Sequence, residues 1–480
     1  MLDVPFWTYI LECVDGSYYV GHTDDLDARM SQQVVGTASG YTARRLPVRL
    51  LWTQDHQTRD DAFRLEHQLK GWSRAKKEAM MRGDWDALPD LSRARSPFDK
   101  LRVSAIGAPA GVEAKEGGAG VGATPFAIFP PPGYAAAMQP PAPLRLTIDL
   151  DALAHNWRWF AHASAPAACG AAIKADGYGV GARAVVERLA REGCRDFFVA
   201  TWAEAARLLP LPAGITLRVL HGVLPGEEAF AAQSGAVPML VSLEQAARWR
   251  EAAPGRTCDV MIDTGMNRLG LAAGEIAALG GLAIDTLHSH LACADEPDHP
   301  MNARQRAAFA AVALPARRRS LANSAGVCLG GAYHFDLTRP GIGLYGGVPH
   351  PAAAGQLRQV VSAQAQVIQV RQLQAGDAVG YNCTHVVARD TSVAILNLGY
   401  ADGYLRGFSG TGRALVDGRV LPVLGRVSMD LTAIDATAVS LREGDWVAID
   451  LDLPRAAAAS GLSQYELLTC LGDRYQRHYL

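Results

Sequence analysis

Lys174 closes the short apolar run Ala171-Ala172-Ile173 just where the chain turns into Ala175-Asp176-Gly177-Tyr178-Gly179. An amine at the mouth of a strand can condense with an aldehyde to form a Schiff base. A low-dielectric setting lowers its pKa enough to make it nucleophilic. Tyr178, four residues on, could hold a phosphate. A lone lysine in a βα turn is ordinarily a surface residue, so this reading needs a matching set elsewhere. The chain carries one. Arg268 lies in the run Asp263 to Gly270, His290 in Ser289 to Glu296, Ser324 in Ala322 to Gly326, and Arg339 just ahead of Gly341 and Ile342. Tyr381, Tyr400 and the pair Met429-Asp430 follow. Taken singly, His290 is ordinarily a satisfied strand-end histidine and Arg268 a surface ion-pair partner. Asp430 reads equally well as a local acceptor at the end of a β hairpin.

The elements that must position these residues are legible in the periodicity. After Leu144, short β-rich runs alternate with helical stretches, as in parallel βα units. The runs are Ala171–Lys174, Phe197–Thr201, Ile215–Gly222, Pro238–Ser242, Asp259–Asp263, Thr286–His290, Ser320–Ser324 and Phe335–Arg339. Helices such as Ala182–Glu192 and Leu243–Ala252 lie between them. Eight units fit a closed (β/α)8 barrel, whose reactive groups gather at the C-terminal ends of the strands. Lys174, His290, Ser324 and Arg339 all fall there. Beyond about Gln356 the period becomes two, with a strand over Ser392–Leu398 and a hairpin over Ala414–Arg426 turning at Asp417-Gly418, which predicts an antiparallel β domain.

Ahead of the barrel, residues 96–143 are rich in Ala, Gly and Pro and read as a mostly disordered, semi-stiff tether. Ahead of that, Tyr9-Ile10 lies in a strand-like run, a turn at Asp15-Gly16 follows, and Tyr18-Tyr19-Val20-Gly21 returns as a second strand. A helix with Arg29 comes next, and Glu66 sits on an amphipathic helix over Ala62–Trp72, followed by Lys70, Arg74, Lys76 and Lys77.

The balance of 46 basic and 48 acidic residues gives no global attraction to nucleic acid or anionic membrane. Eight scattered cysteines without a CxxC pair read as reduced thiols, and no apolar stretch spans a bilayer. A cytoplasmic protein is expected.

From Leu144 to Leu480 the order and spacing of these motifs resemble alanine racemase. The segment from about Phe6 to Trp85 resembles a GIY-YIG nuclease domain. The resemblance implies a multidomain α/β chain. It has a small α+β GIY-YIG-like domain over 1–95, the linker, a (β/α)8 TIM barrel of pyridoxal-phosphate fold type III over 144–355, and the β domain over 356–480. Lys174 would carry pyridoxal 5′-phosphate, and Tyr381 would be the second acid/base group on the opposite face. Racemisation takes the α-proton from one face and returns one to the other, so two fixed groups spare a single base from swinging across. Lysine would serve the D-enantiomer and tyrosine the L-enantiomer. A free phenol titrates near about 10, so Tyr381 needs tuning, which the family achieves with a histidine matching His290 beside a cationic arginine.

Arg339 would face the pyridine nitrogen. A guanidinium only donates, which leaves that nitrogen unprotonated and suppresses transamination. The resemblance gives the phosphate to Tyr178, Ser324 and the N–H groups near Gly341 and Ile342. Arg268 and the Met429 backbone would take the substrate carboxylate and a cofactor oxygen, Tyr400 would narrow the entrance, and Asp430 would lend support. In the family the tyrosine base comes from the partner subunit, which implies a homodimer with composite sites. The activity implied is interconversion of L- and D-alanine for cell-wall precursors. The rivals are a broader amino-acid racemase and a DNA-processing protein with an inert racemase portion.

Two positions depart from the family pattern. Met261 stands where many members have a carbamylated lysine, so it cannot hold Arg268 by charge. Asp473 stands where a phosphate-binding tyrosine is frequent, leaving Tyr475 or Tyr479 to substitute. In the front domain the resemblance implies a nuclease site of Tyr9, Tyr19, Arg29 and Glu66, in which Glu66 would bind a divalent metal, Tyr19 would help activate water and Arg29 would stabilise the phosphate of a nucleic acid. The first motif there lacks its glycine, and His22 and Gln33 replace a frequent lysine and histidine.

Overall fold

The computed structural model describes residues 6–15, 17–26, 29–30, 45–56, 61, 65–66, 69–70, 72–82 and 141–480. Nearly all of the expected tether, together with Gly16 and Gln33, lies outside the described residues. The chain divides into two compact units, Met1–Ala127 and Ile128–Leu480. Among the described residues no helix is long and apolar enough to cross a membrane.

In the first unit, strands Phe6–Cys13, Tyr18–Thr23 and Val48–His56 form an antiparallel sheet with Phe6–Cys13 in the centre. The first two are the expected hairpin. The third has little period-2 alternation and was not visible in the sequence. Ile10, Val20, Leu69 and Met80 make the core of this unit. Residues 65–66 and 69–70 of the expected Glu66 helix are helical, whereas Trp72 is not. Helix Arg74–Met81 follows, started by Ser73, whose side chain accepts from the Lys76 N–H.

The second unit contains the (β/α)8 barrel. Ala171–Ala172, Asp196–Val199, Thr216–Val219, Val237–Leu240, Thr257–Met261, Ala283–His288 and Arg318–Ser320 pair in chain order into one parallel sheet. The eighth strand, Leu337–Thr338, pairs in parallel with Ala168–Cys169. The Asp336 and Arg339 N–H groups donate to the Arg319 and Ala322 carbonyls, which joins the eighth strand to the seventh and closes the ring. Each expected run overlaps a strand, but the ladders stop short of the expected C-terminal ends. Lys174, His290, Ser324 and Arg339 therefore sit just past the strands. Helices Ala182–Glu192 and Leu243–Ala252 lie where the sequence predicts them.

The β domain is an eight-stranded sheet that includes the strands Thr391–Leu396, Arg413–Val416 and Arg419–Leu424. The hairpin turns at Asp417 (φ 47°) and Gly418 (φ 76°), the two left-handed positions that a tight primed turn requires. Leu144–Ile148 belongs to this sheet, antiparallel to Val361–Leu373 and parallel to Tyr475–Tyr479. The chain thus begins and ends its second unit in the same sheet and builds the barrel in between.

Candidate active site

The backbone that presents Lys174 is unusual. Ala175 and Asp176 both have φ 52° and Gly177 has φ 63°, a left-handed turn that L-residues enter only when held. Several bonds hold it. Glu204 Oε1 accepts from Ala175 N at 2.8 Å, Asp176 Oδ1 accepts from Ala182 N at 2.9 Å, and the Ile173 carbonyl accepts from Gly177 N at 2.8 Å. Glu204 is itself fixed by the capping box of helix Trp202–Leu208.

Lys174 opens into a cavity of about 530 Å³ at the C-terminal end of the barrel. Tyr178, Arg268, His290, Ser324, Arg339, Gly341 and Ile342 line it with the lysine. Every barrel residue that the sequence singled out faces this one space. The Lys174 side chain lines the cavity, and the residue is exposed rather than sealed in the core. Burial lowers its pKa, Arg268 and Arg339 lower it further, and Glu204 partly opposes them.

Arg339 is 6% exposed and donates to the Ser289 carbonyl at 2.7 Å and to Ser320 Oγ. Its second terminal nitrogen is 3.5 Å from His290 Nδ1. Burial pulls Arg339 down to about 10, so it stays charged at neutral pH, and burial beside Arg339, Arg268 and Lys174 pulls His290 down to about 3. His290 is therefore a neutral imidazole beside a fixed cation.

The other end of the cavity is a cradle of donors. Ser324 Oγ accepts from Gly341 N at 2.8 Å and from Gly343 N at 3.3 Å, which directs its own proton outward. The Ile342 N–H makes no hydrogen bond among the described residues. A Cβ on Gly341 would stand 2.3 Å from the Tyr178 hydroxyl, so only glycine lets the phenol lie along this backbone. The Tyr178 ring stacks on Tyr345 at 4.6 Å, and the Tyr345 hydroxyl donates to the Ala172 carbonyl at 2.9 Å. Three cations line the cavity against one carboxylate, Asp263, which already accepts from Gly265 N and Met266 N. A ligand with a phosphate at one end and an aldehyde near Lys174 fits this donor set.

Tyr381, Tyr400, Met429 and Asp430, the β-domain residues that the sequence singled out, do not line this cavity. Tyr381 is 65% exposed and Met429 54% exposed. Tyr381 heads a loop in which Asn382 (φ 62°) and Cys383 (φ 49°) are left-handed, and Tyr400 is half-buried. The Tyr400 loop is bonded to the Met429 loop through Ala401 N and the Met429 carbonyl at 3.0 Å. Asp430 pairs with Arg474 at 2.8 Å.

Met261 lines the cavity as a buried apolar side chain, and Arg268 has no ion pair or hydrogen bond among the described residues. Asp473 lies on an exposed turn. The expectation that Tyr475 or Tyr479 substitutes for it is corrected. Tyr475 packs into the core between the sheet strands, and the Tyr479 hydroxyl donates to the Val180 carbonyl at 2.9 Å. Tyr465 lines the cavity instead. The sequence signal for it was the start of a capping-box helix at Ser463 and Glu466. Tyr345 was foreshadowed by its place three residues past Ile342, and Glu204 carried no separate signal.

In the front unit, the register sets Tyr9 opposite Gly21 and Leu11 opposite Tyr19, and the two tyrosine rings are 6.3 Å apart. A Cβ on Gly21 would meet the Tyr9 hydroxyl at 2.6 Å, which explains the glycine. Arg29 Nε donates to that hydroxyl at 3.2 Å. Glu66 pairs with Lys70 at 2.6 Å and with His22 Nδ1. Burial pushes its carboxyl up, but Lys70 and His22 outweigh burial and hold it below the usual range. No cluster of three or more His, Cys, Asp or Glu is gathered for a metal among the described residues.

Comparison with known proteins agrees with this geometry. A profile described as the N-terminal domain of alanine racemase matches residues 148–349, and one described as its C-terminal domain matches 360–479. A GIY-YIG catalytic domain profile matches residues 5–79. An alanine racemase of Rhodospirillum rubrum is 44% identical over 355 residues, 70% of this chain and 95% of the relative. A biosynthetic alanine racemase of Agrobacterium fabrum is 41% identical, over 71% of this chain and 94% of the relative. Alanine racemase of Bartonella henselae, solved with covalently bound pyridoxal phosphate, is 37% identical with TM-score 0.67, covering 71% of this chain and all 100% of that one. The biosynthetic enzyme of Pseudomonas aeruginosa is 34% identical with TM-score 0.66, covering 71% and 100%. The chain belongs to the alanine racemase family and carries a GIY-YIG domain ahead of the racemase region.

Proposed function

We propose that this chain interconverts L-alanine and D-alanine with pyridoxal 5′-phosphate, supplying D-alanine for peptidoglycan. The observation that carries the reading is a single cavity that joins Lys174 to Arg268, Arg339 and a cradle of phosphate donors. Bound there, the cofactor acidifies the α-C–H bond of an amino acid. The remaining work falls to side chains. The Lys174 amine, its proton loosened by burial, takes or returns the α-proton on one face. Tyr381 serves the other face, and the neutral His290 next to Arg339 tunes its phenol. Arg268 and the Met429 backbone hold the substrate carboxylate, with Asp430 in support, and Tyr400 limits the side chain to a small one. Arg339 disfavours transamination by donating to the ring nitrogen.

A homodimer is part of the proposal, supported by Tyr381 and Met429 being exposed and not lining the cavity of their own chain. The domain limits 1–95, 96–143, 144–355 and 356–480 belong to it too. So does a cytoplasmic location, supported by eight unpaired cysteines.

The test is turnover of L-alanine by the purified protein with pyridoxal phosphate. Lys174→Ala should lose the bound chromophore. Tyr381→Phe should keep the chromophore and lose L-to-D turnover by about 10²-fold or more, as expected for a missing acid/base group. Parental turnover in Tyr381→Phe ends the two-base reading.

A second activity has its own support in the front unit. The Tyr9, Arg29 and Tyr19 grouping and the buried Glu66 suit phosphodiester cleavage with one divalent metal at Glu66, which must displace His22 or Lys70. Metal-dependent nicking of DNA that disappears in Glu66→Ala supports it, and equal nicking by parent and variant refutes it.

A further inference from the structure

We propose that Arg474 is a positioning residue that clamps the Tyr400 and Met429 loops into one rigid unit, and so sets substrate affinity and side-chain selection without touching the substrate. The proposal rests on the alanine-racemase reading, in which these loops serve the cavity of the partner subunit.

Three segments meet around Asp402. The Tyr400 turn, residues 399–403, lies against the loop 428–431. Tyr400 N and Ala401 N donate to the Ser428 and Met429 carbonyls, each at 3.0 Å, and a Cβ on Gly399 would collide with the Met429 carbonyl. The other side of the turn meets the C-terminal segment 470–474. Gly472 N donates to the Asp402 carbonyl at 3.3 Å, and a Cβ on Gly403 would collide with the Cys470 carbonyl. Only glycine permits these approaches. The C-terminal segment is in turn tied to the barrel, because Arg477 Nη2 donates to the Gly179 carbonyl at 3.0 Å and to the Gly472 carbonyl at 3.3 Å. Gly179 ends the left-handed turn of Lys174.

Arg474 crosses the seam between the two loops. Its Nε lies 2.6 Å from Asp402 Oδ1, and Nη1 of the same guanidinium donates to Asp430 Oδ1 at 2.8 Å. An isolated ion pair on an exposed arginine contributes little. This one differs because Asp402 is 1% exposed and its other oxygen is already spent on Gly399 N at 2.9 Å. One guanidinium therefore joins a buried carboxylate of the Tyr400 turn to the carboxylate next to Met429. Burial raises the Asp402 pKa and the Asp430 charge raises it further, while Arg474 opposes both. Without Arg474 the two carboxylates repel each other across the seam and push Met429 away from Tyr400. The planar fork of arginine reaches both acceptors at once, whereas an ammonium is a single point of charge.

The experiment compares full-length parent, Arg474→Met and Arg474→Lys. Steady-state kinetics with bound pyridoxal 5′-phosphate are read on L-alanine and L-serine, and amide hydrogen exchange is read across 399–403 and 428–431 in the cofactor-free protein. In Arg474→Met we expect KM for L-alanine to rise about tenfold with kcat within about threefold of parent, the scale of one lost hydrogen bond to a charged group. The ratio of kcat/KM for L-serine to that for L-alanine should rise, and exchange in both loops should become about fivefold faster or more. Arg474→Lys, which keeps the charge and loses the fork, should fall between the two. A parental KM, ratio or loop exchange in Arg474→Met overturns the proposal. So does faster exchange throughout the second unit with loss of the bound chromophore, which marks a general structural role. If the parent turns over no alanine, the racemase reading falls, and exchange in the two loops still decides whether Arg474 clamps them.

Discussion

His288 is fully buried near the end of the sixth barrel strand, with Nε2 3.0 Å from Asp259 and Nδ1 without a hydrogen-bond partner among the described residues. Around it the barrel interior is charged. Arg218, 1% exposed, donates to Asp196, Asp259 and Asp285, and Arg318 bridges Asp196 and Asp285. Burial pulls His288 from its ordinary 6.5 down to about 4, with Asp259 opposing. The folded pKa lies below the unfolded one, so the unfolded chain binds a proton first as pH falls. The contribution is complete above 6.5 and is lost on descent to about 4. It is worth about 3 kcal/mol for a shift of this size. Urea midpoints of the cofactor-free protein should fall across that window and fall less in His288→Gln. A flat parental profile there would show that His288 is hydrated or charged in the fold. Asp196 is held low by Arg318 and Arg218 against burial, so its contribution disappears only below the ordinary carboxylate range. None of these partners was legible in the sequence. A charge inside a barrel is tolerable only with its counter-charge, and the counter-charges come from different strands.

At the scale of elements, the runs, the two helices and the Asp417-Gly418 hairpin were readable because each depends on local periodicity or on residues that tolerate left-handed backbone. The turn that bears Lys174 was readable as a turn but not as left-handed at Ala175 and Asp176. That conformation is held in part from outside, by Glu204 on the helix Trp202–Leu208. Strand ends were placed too late for a related reason. Apolar residues continue past Ala172 and Ser320, so the hydrophobic run does not mark where the ladder ends. The helix of Tyr465 shows the same limit. Its capping box marks a start, whereas its direction comes from Gln464 on Val348 and Leu468 on Gly179.

At the scale of the molecule, the proposed site needs two chains, and that arrangement has a distinctive consequence. Lys174→Ala and Tyr381→Phe subunits are each inactive alone, but a mixed dimer has one site with both parental groups. Random pairing of equal amounts should restore about a quarter of parental sites, since half the dimers are mixed and each has one competent site. Co-expression with distinguishable tags, followed by an alanine turnover assay, measures this. A mixture as inactive as its components would mean that Lys174 and Tyr381 act within one chain or not together. The sequence by itself determined the division into a nuclease-like front, a barrel and a β domain, and named the chemical groups, because motif spacing and hydrophobic period are local properties of the chain. Only the tertiary structure decided that eight barrel residues share one cavity, that Tyr465 rather than Tyr475 or Tyr479 faces it, and that Tyr381 lies outside it. Those outcomes depend on which strands and helices meet across long separations, and no period along the chain encodes where a side chain points once the elements pack.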